Sequence, residues 1–250
     1  MENNTTYNKN EIIKVEHLKK SFDGMEILKD INLDVKKGEN IAIIGQSGIG
    51  KSVFIKCLVR LITPDAGKIE IFGQDLLKQD PEGLKNIRQN IGFLFQGGAL
   101  YDSMTVRENL EFPIKRNFIT KNTEKINSLI YEVLDNVNLR EAIDKLPAEL
   151  SGGMKKRVAL ARTLIMKPEI IFYDEPTTGL DPITSKEISD LILSISKKYE
   201  TTSLIITHDI NCVRITASKI YVLKDGIFYA SGSFDEMERS DDPWIKRFFK

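Results

Sequence analysis

Four apolar residues, Ile41-Ala42-Ile43-Ile44, run straight into the glycine loop Gly45-Gln46-Ser47-Gly48-Ile49-Gly50-Lys51-Ser52. Apolar residues at helical spacing follow through Val53, Phe54, Cys57, Leu58 and Leu61. The loop satisfies G-x-x-x-x-G-K-[S/T] at every fixed position, in the strand-then-helix setting that the motif needs. Glycines let the backbone close on an anion, and the free N–H groups of a helix start meet a phosphate with the positive end of the helix dipole. A chain built around such a unit is expected to be α/β. In this reading the loop cradles the α- and β-phosphates of a nucleotide, Lys51 reaches the β- and γ-phosphates, and the Ser52 hydroxyl binds Mg2+.

Short β-like runs precede the loop, Ile12 to Val15 and Ile31 to Val35, broken by a turn at Asp23-Gly24. The helix after the loop is expected to end at Thr63-Pro64-Asp65. A further strand pair, Lys68 to Phe72 and Asn90 to Phe95, leads to Gln96. Ser103 to Lys167 reads as almost purely helical, with Ile126, Leu129, Ile130, Val133, Leu134 and Val137, then Met154, Val158, Ala161, Leu164 and Ile165, at helical spacing before Pro168. The alternation resumes with a strand at Ile170 to Tyr173. Asp181 as N-cap and Pro182 in the first turn open a helix. A buried strand spans Leu204 to Thr207, and strands Ile220 to Leu223 and Ile227 to Ala230 flank an Asp225-Gly226 hairpin turn. A helical insert thus interrupts an α/β core, and the polar, Asn-rich residues 1 to 10 are expected to be frayed.

With 36 basic and 36 acidic side chains among 250 residues, no bulk charge draws the chain to nucleic acid or to an anionic membrane. The two cysteines, Cys57 and Cys212, lie in apolar helical patterns without metal-ligand spacing. Free buried thiols in a reducing compartment are expected. No apolar run approaches the ~18 to 20 residues of a membrane-spanning helix, and polar Met1 to Thr6 lacks the apolar core of a signal peptide. A cytoplasmic protein is the expectation.

Leu150-Ser151-Gly152-Gly153-Met154 opens a second helix suited to phosphate, upstream of the pair Asp174-Glu175. That pair ends an apolar strand. Alone it would read as solvated; beside a phosphate loop, Asp174 is placed to hold the Mg2+ shell through water and Glu175 to polarise the attacking water. His208 follows the strand Ser203 to Thr207, on the edge where α/β sheets bind ligands, and is taken as a donor to the γ-phosphate. His17 has no such context and reads as surface or packing.

Taken in order, the phosphate loop, Gln96, Leu150 to Met154, Asp174-Glu175, Gly179-Leu180-Asp181 and His208 resemble the ATP-binding subunit of an ABC transporter, over essentially residues 11–235. The resemblance implies an α/β P-loop NTPase (ABC ATPase) with a mixed core sheet, an N-terminal antiparallel β subdomain and a helical subdomain inserted at about 97–167. A C-terminal helical extension would cover 236–250. It implies ATP and Mg2+ as cofactors, with Gly45 to Val53 on the nucleotide, Gln96 as a Mg2+ ligand that senses the membrane subunit, and Asp181 coupling two active sites. Phe22 stands where the family places an aromatic on adenine; core packing is the alternative. Two copies would pair head to tail, each ATP lying between one copy's phosphate loop and the other's Leu150 to Met154. Met154 and Val53 replace a common glutamine and threonine, while the phosphate contact comes mainly from Ser151 and the glycine N–H groups.

Phe95 to Val106, Leu150 to Arg157 and Asp181-Pro182-Ile183-Thr184 are similar to the Mla/Mce-type ATPases, which drive phospholipid or other lipid movement between membrane and MCE-domain proteins. This implies a motor subunit on the cytoplasmic side of the inner membrane, held by a permease, with MCE-domain and small accessory subunits and no nucleic acid. An ABC importer or exporter for another small cargo and a non-transport ABC ATPase are the alternatives. Lys155-Lys156-Arg157 by itself reads as a solvated helix face. Asp242 to Lys250 sets aromatic residues at helical spacing among basic ones. Packing on its own domain, docking on a partner subunit and direct membrane contact are its three readings, in that order.

Overall fold

A computed structural model describes residues 10–117 and 119–249. The frayed segment expected at 1–10 lies, apart from Asn10, outside the described residues. The chain forms two compact units, Met1–Arg88 with Ala217–Lys250, and Gln89–Thr216.

The first unit opens with β1 (Glu11–Phe22) and β2 (Met25–Lys36), antiparallel across the Asp23-Gly24 turn. Ile12, Ile13, Val15, Leu18, Leu28, Ile31, Leu33 and Val35 are buried from this pair, and from Ile31 to Lys36 buried apolar residues alternate with exposed polar ones, as in a sheet with one face on a core. β3 (Asn40–Ile44) is buried at every position, which its continuous apolar run requires. Next, α1 (Lys51–Leu58) buries Phe54, Ile55, Cys57 and Leu58. It ends earlier than the apolar spacing predicts. Arg60 turns to φ +52°, and the Arg88 guanidinium donates to the Val59 and Arg60 carbonyls at 2.9 and 3.0 Å, leaving Leu61 exposed. β4 (Ala66–Ile71), β5 (Gln74–Asp75) and α2 (Pro81–Gln89) follow. The sequence gives no hint of α2, because Ile87 is the one residue it buries and no apolar stripe results.

The second unit runs β6 (Ile91–Leu94), α3 (Val106–Arg116), α4 (Thr123–Asn136), α5 (Gly152–Leu164), β7 (Ile170–Asp174), α6 (Pro182–Tyr199), β8 (Thr202–Ile206) and α7 (Ile210–Thr216). Its strands lie in the order β8-β7-β6, all parallel. The strand expected to pair with Lys68 to Phe72 therefore pairs with β7 instead, while β4 lies between β1 and β5. Side chains close the helix starts: Thr105 and Glu108 form a capping box on α3, Ser151 caps α5, and Asp181 with Pro182 behind it caps α6. These replace the partners that the first N–H groups of a helix lack. Leu110, Ile130, Leu134, Leu160, Tyr173 and Ile192 belong to one apolar cluster, so the helices and the carboxylate-bearing strand of this unit share a core.

The chain then returns to the first unit with β9 (Lys219–Lys224) and β10 (Ile227–Gly232). Asp225 and Gly226 join them, both at positive φ, as a tight hairpin demands. The strand order is β5-β4-β1-β2-β10-β9-β3, with β3 parallel to β9 inside an otherwise largely antiparallel arrangement. The last helix, α8 (Phe234–Glu238), is short. The aromatic run expected to be helical over 236–250 forms a single 3₁₀ turn, Ile245–Arg247, because Asp242 accepts from the Trp244 and Ile245 N–H groups at 2.7 and 3.2 Å. Trp244 packs on Tyr229 and Phe248, and Phe249 on Phe234. The run lies back on its own unit. Among the described residues no helix is long and apolar enough to cross a membrane.

Candidate active site

In the first unit the glycine loop follows β3 with its shape set by close approaches. A Cβ on Gly45 would fall 2.7 Å from the Leu223 carbonyl oxygen, and one on Gly50 would fall 2.7 Å from Ile27 Cγ2. Gly50 also takes φ +109° as the N-cap of α1, with no side-chain hydrogen bond to the helix. A larger residue there would clash and strain together. Lys51 is buried, and its Nζ donates to the Gly45 and Gln46 carbonyls at 2.8 and 3.0 Å. Gln46, Ser47 and Gly48 are exposed; Ser52 and Val53, on the first turn, are half-buried. A helix start with no side-chain cap, an ammonium folded across the loop and glycines where a side chain would intrude together fit a phosphate group. Phe22, at the end of β1, is 42% exposed, with Lys20 Nζ 5.0 Å from its ring centre. That exposure removes core packing as its role.

In the second unit, buried Asp174 ends β7 and Glu175 leaves it at φ +51°. This left-handed backbone costs a non-glycine residue on the order of 1 kcal/mol, and the Glu175 N–H holds it by donating to the Ile206 carbonyl at 2.8 Å. The carboxylate accepts from Thr178 Oγ1 at 3.1 Å and lies 2.8 Å from His208 Nδ1. The next residue, Asp209, accepts from Thr177 Oγ1 at 3.0 Å and from the Asn211 and Cys212 N–H groups at 3.0 and 3.2 Å. It joins the turn after Glu175 to the start of α7.

At the start of α5, exposed Ser151 accepts from the Met154 N–H at 3.3 Å. A Cβ on Gly153 would lie 2.6 Å from Thr184 Cγ2, so this turn sits directly on the first turn of α6. There the Thr184 hydroxyl and the Thr184 N–H, both donating to Asp181, hold that carboxyl below the usual range. Two starts predicted from sequence thus meet at one corner.

Lys156 corrects the expectation of a solvated Lys155-Lys156-Arg157 face. Lys155 is exposed, but Arg157 is half-buried, donating to Glu187 Oε2 at 2.7 Å, and Lys156 is buried. The Lys156 Nζ donates to the Gln96 carbonyl and, at 3.5 Å, to the Glu175 carbonyl. Burial lowers its pKa, against the opposing pull of the Glu175 and Asp174 carboxylates. The signal was present in the spacing: Gly153, Lys156, Leu160 and Leu164 are all buried and form the inner stripe of α5. Gln96 itself is exposed beyond β6. A second residue that sequence reasoning missed is Asn109, fully buried on α3. Its Oδ1 accepts from the Tyr101 N–H at 2.9 Å, and its Nδ2 donates to the Tyr101, Met104 and Thr105 carbonyls at 3.1, 3.0 and 3.0 Å.

A family model described as ABC transporter matches residues 28–178. The probable ribonucleotide transport ATP-binding protein mkl of Mycobacterium leprae is 39% identical over 236 residues, which are 94% of this chain and 68% of that protein. The intermembrane phospholipid transport system ATP-binding protein MlaF of Haemophilus influenzae is 35% identical over 240 residues, 96% of this chain and 90% of its own. Among solved structures, the dimeric post-hydrolysis state of an ATP-binding cassette bound to ADP and Pi superimposes with a TM-score of 0.81 at 32% identity, covering 89% of this chain and 98% of that one. The loop, the strand that feeds it and the α/β architecture are those of this group, and the chain belongs to the ABC transporter family as an ATP-binding subunit with the P-loop ATPase fold.

Proposed function

We propose that the chain is the ATP-hydrolysing motor of a membrane transporter for phospholipid or a related lipid, working as two copies with a permease and an MCE-type partner. Hydrolysis rests on one observation above others: the Glu175 carboxylate, at the end of a buried strand, is oriented by Thr178 and His208 as a general base must be. Gly45, Gln46, Ser47, Gly48, Ile49, Gly50 and Val53 hold the nucleotide with Lys51 as the charge on its phosphates, and Phe22 offers a ring to the base. Ser52, Gln96 and, through water, Asp174 are the residues that would hold Mg2+, which supplies neutralisation of phosphate charge when bound. Glu175 draws a proton from the attacking water, and His208 donates to the γ-phosphate.

The second copy completes the arrangement. Leu150, Ser151, Gly152, Gly153 and Met154 of one copy present the start of α5 to the phosphates held by the other, and Asp181 links the two sites. A solved relative that is itself a dimer supports this pairing. Residues 11–235 then form the ATPase domain, with the helical insert at about 97–167 facing the permease and 236–250 as an extension. The chain would sit on the cytoplasmic face of the inner membrane, held there by the permease.

The lipid cargo is supported by the relative named for intermembrane phospholipid transport, matched over almost its whole length, and by the similarity of Phe95 to Val106 and of Met154 to the Mla/Mce-type pattern. The relative named for ribonucleotide transport favours a second reading, the same motor on a permease for another solute. Detergent extraction of the tagged chain with its partners, followed by mass spectrometry of the bound proteins and lipids, separates these. An MCE-domain protein and co-purifying phospholipid are expected. A permease without either overturns the lipid cargo, and capture of ribosomes or DNA in place of a membrane protein overturns transport.

A further inference from the structure

We propose that Lys156 is a positioning residue that ties the Gln96 segment and the general base Glu175 to α5, so that the helix opened by Ser151 sets where both of them stand. The inference rests on the ATPase reading above and adds a residue to which that reading gives no role.

Its ground is the pair of acceptors. The Lys156 ammonium is buried, and a buried cation is retained only with partners. Both partners are backbone carbonyls of site residues, Gln96 and Glu175, drawn from the ends of two different strands. A position needed only for packing would be served by a methionine of similar length with no desolvation cost. The Glu175 backbone is the strained one, at φ +51°, and its N–H is already committed to Ile206. Its carbonyl end is reached by Lys156 and by the Thr178 N–H at 3.3 Å. Lys156 stands on the same rigid helix as Ser151, five residues on, roughly 7.5 Å along the axis. A shift of α5 that follows engagement at Ser151 therefore moves the ammonium, and with it the two carbonyls. The hydrogen bonds of the Lys156 ammonium go to main-chain carbonyls, so it acts through Gln96 and Glu175.

The test compares the full chain with Lys156→Met and Lys156→Arg. Hydrogen–deuterium exchange without nucleotide is expected to rise about threefold or more in Lys156→Met, in the segments around Gln96 and Glu175 and not elsewhere. The kcat for phosphate release is expected to fall about tenfold or more while KM for ATP stays within about twofold, and Lys156→Arg, which keeps donors for both carbonyls, returns exchange and kcat toward wild type. Wild-type exchange at both segments in Lys156→Met, or an arginine variant that restores neither property, overturns the proposal. Should Lys156→Met not fold, Lys156→Gln, one bond shorter and neutral, serves in its place, and unchanged exchange there overturns it equally. If the wild-type chain releases no phosphate, the ATPase reading fails, and the nucleotide-free exchange still decides the role of Lys156.

Discussion

His208 Nδ1 stands 2.8 Å from Glu175 Oε2, and the two side chains differ sharply in exposure, 66% for the ring and 14% for the carboxylate. The imidazole covers a carboxylate that a strained backbone has already aimed. Orientation of the base is thus divided between the main chain behind it and the ring in front.

Glu175→Gln keeps the shape of this arrangement and removes the base. Phosphate release should fall by about 100-fold or more, while the ATP-bound dimer still forms and is visible by light scattering. A variant that releases phosphate at the wild-type rate would remove Glu175 from the chemistry.

Ser151→Arg takes the cap from α5, where the serine oxygen accepts from the Met154 N–H. The expected loss of stability is about 1 kcal/mol, read as a lower urea midpoint. ATP binding to the single chain should be nearly unchanged, and the dimer should be absent. A normal ATP-bound dimer in light scattering would show that the start of α5 is not shared between copies.

Gly50→Ala meets two obstacles at once, φ +109° and a Cβ 2.7 Å from Ile27 Cγ2. Destabilisation of roughly 1–3 kcal/mol is expected, together with weaker binding of a fluorescent ATP analogue. Gly48→Ala, with nothing near its Cβ but φ +77°, should cost less stability. Equal urea midpoints for the two variants would show that the contact with Ile27 carries no weight.

Burial pushes the Cys57 and Cys212 thiols from an ordinary value of 9.0 up to about 11. The fold favours the protonated thiol, so this contribution to stability is whole below pH 9 and is lost as the pH rises through 11. The stability advantage of the wild-type chain over a Cys57→Ala/Cys212→Ala variant should therefore hold from pH 7 to 9 and shrink by pH 11, measured by urea unfolding. At neutral pH a thiol reagent should label neither cysteine until the chain is unfolded; rapid native labelling would contradict their burial.

Features set by neighbours in the chain were legible in the sequence. The strand–loop–helix at Ile41–Leu58 declares itself through an apolar run, three glycines and Lys51, and Asp181-Pro182 marks the start of α6 by local chemistry alone. The early end of α1 depends on Arg88 reaching back to Val59 and Arg60 from far along the chain, which no window of neighbours contains. α2 was invisible because it buries so little. Lys156 was misread because charge was equated with exposure, although its spacing from Gly153 and Leu160 put it on the inner stripe. The tail was misread the other way: helical spacing of Trp244, Phe248 and Phe249 counts for less than Asp242 seizing the N–H groups that follow it.

The four hydrogen bonds of Asn109 have a mechanical consequence. They bind Tyr101, Met104 and Thr105 to the first turn of α3, so the stretch from Tyr101 to that helix has few torsions left to yield. Force applied at the exposed ring of Tyr101 reaches the helix as displacement, with little absorbed on the way. A single buried amide turns what would be a slack tether into a strut.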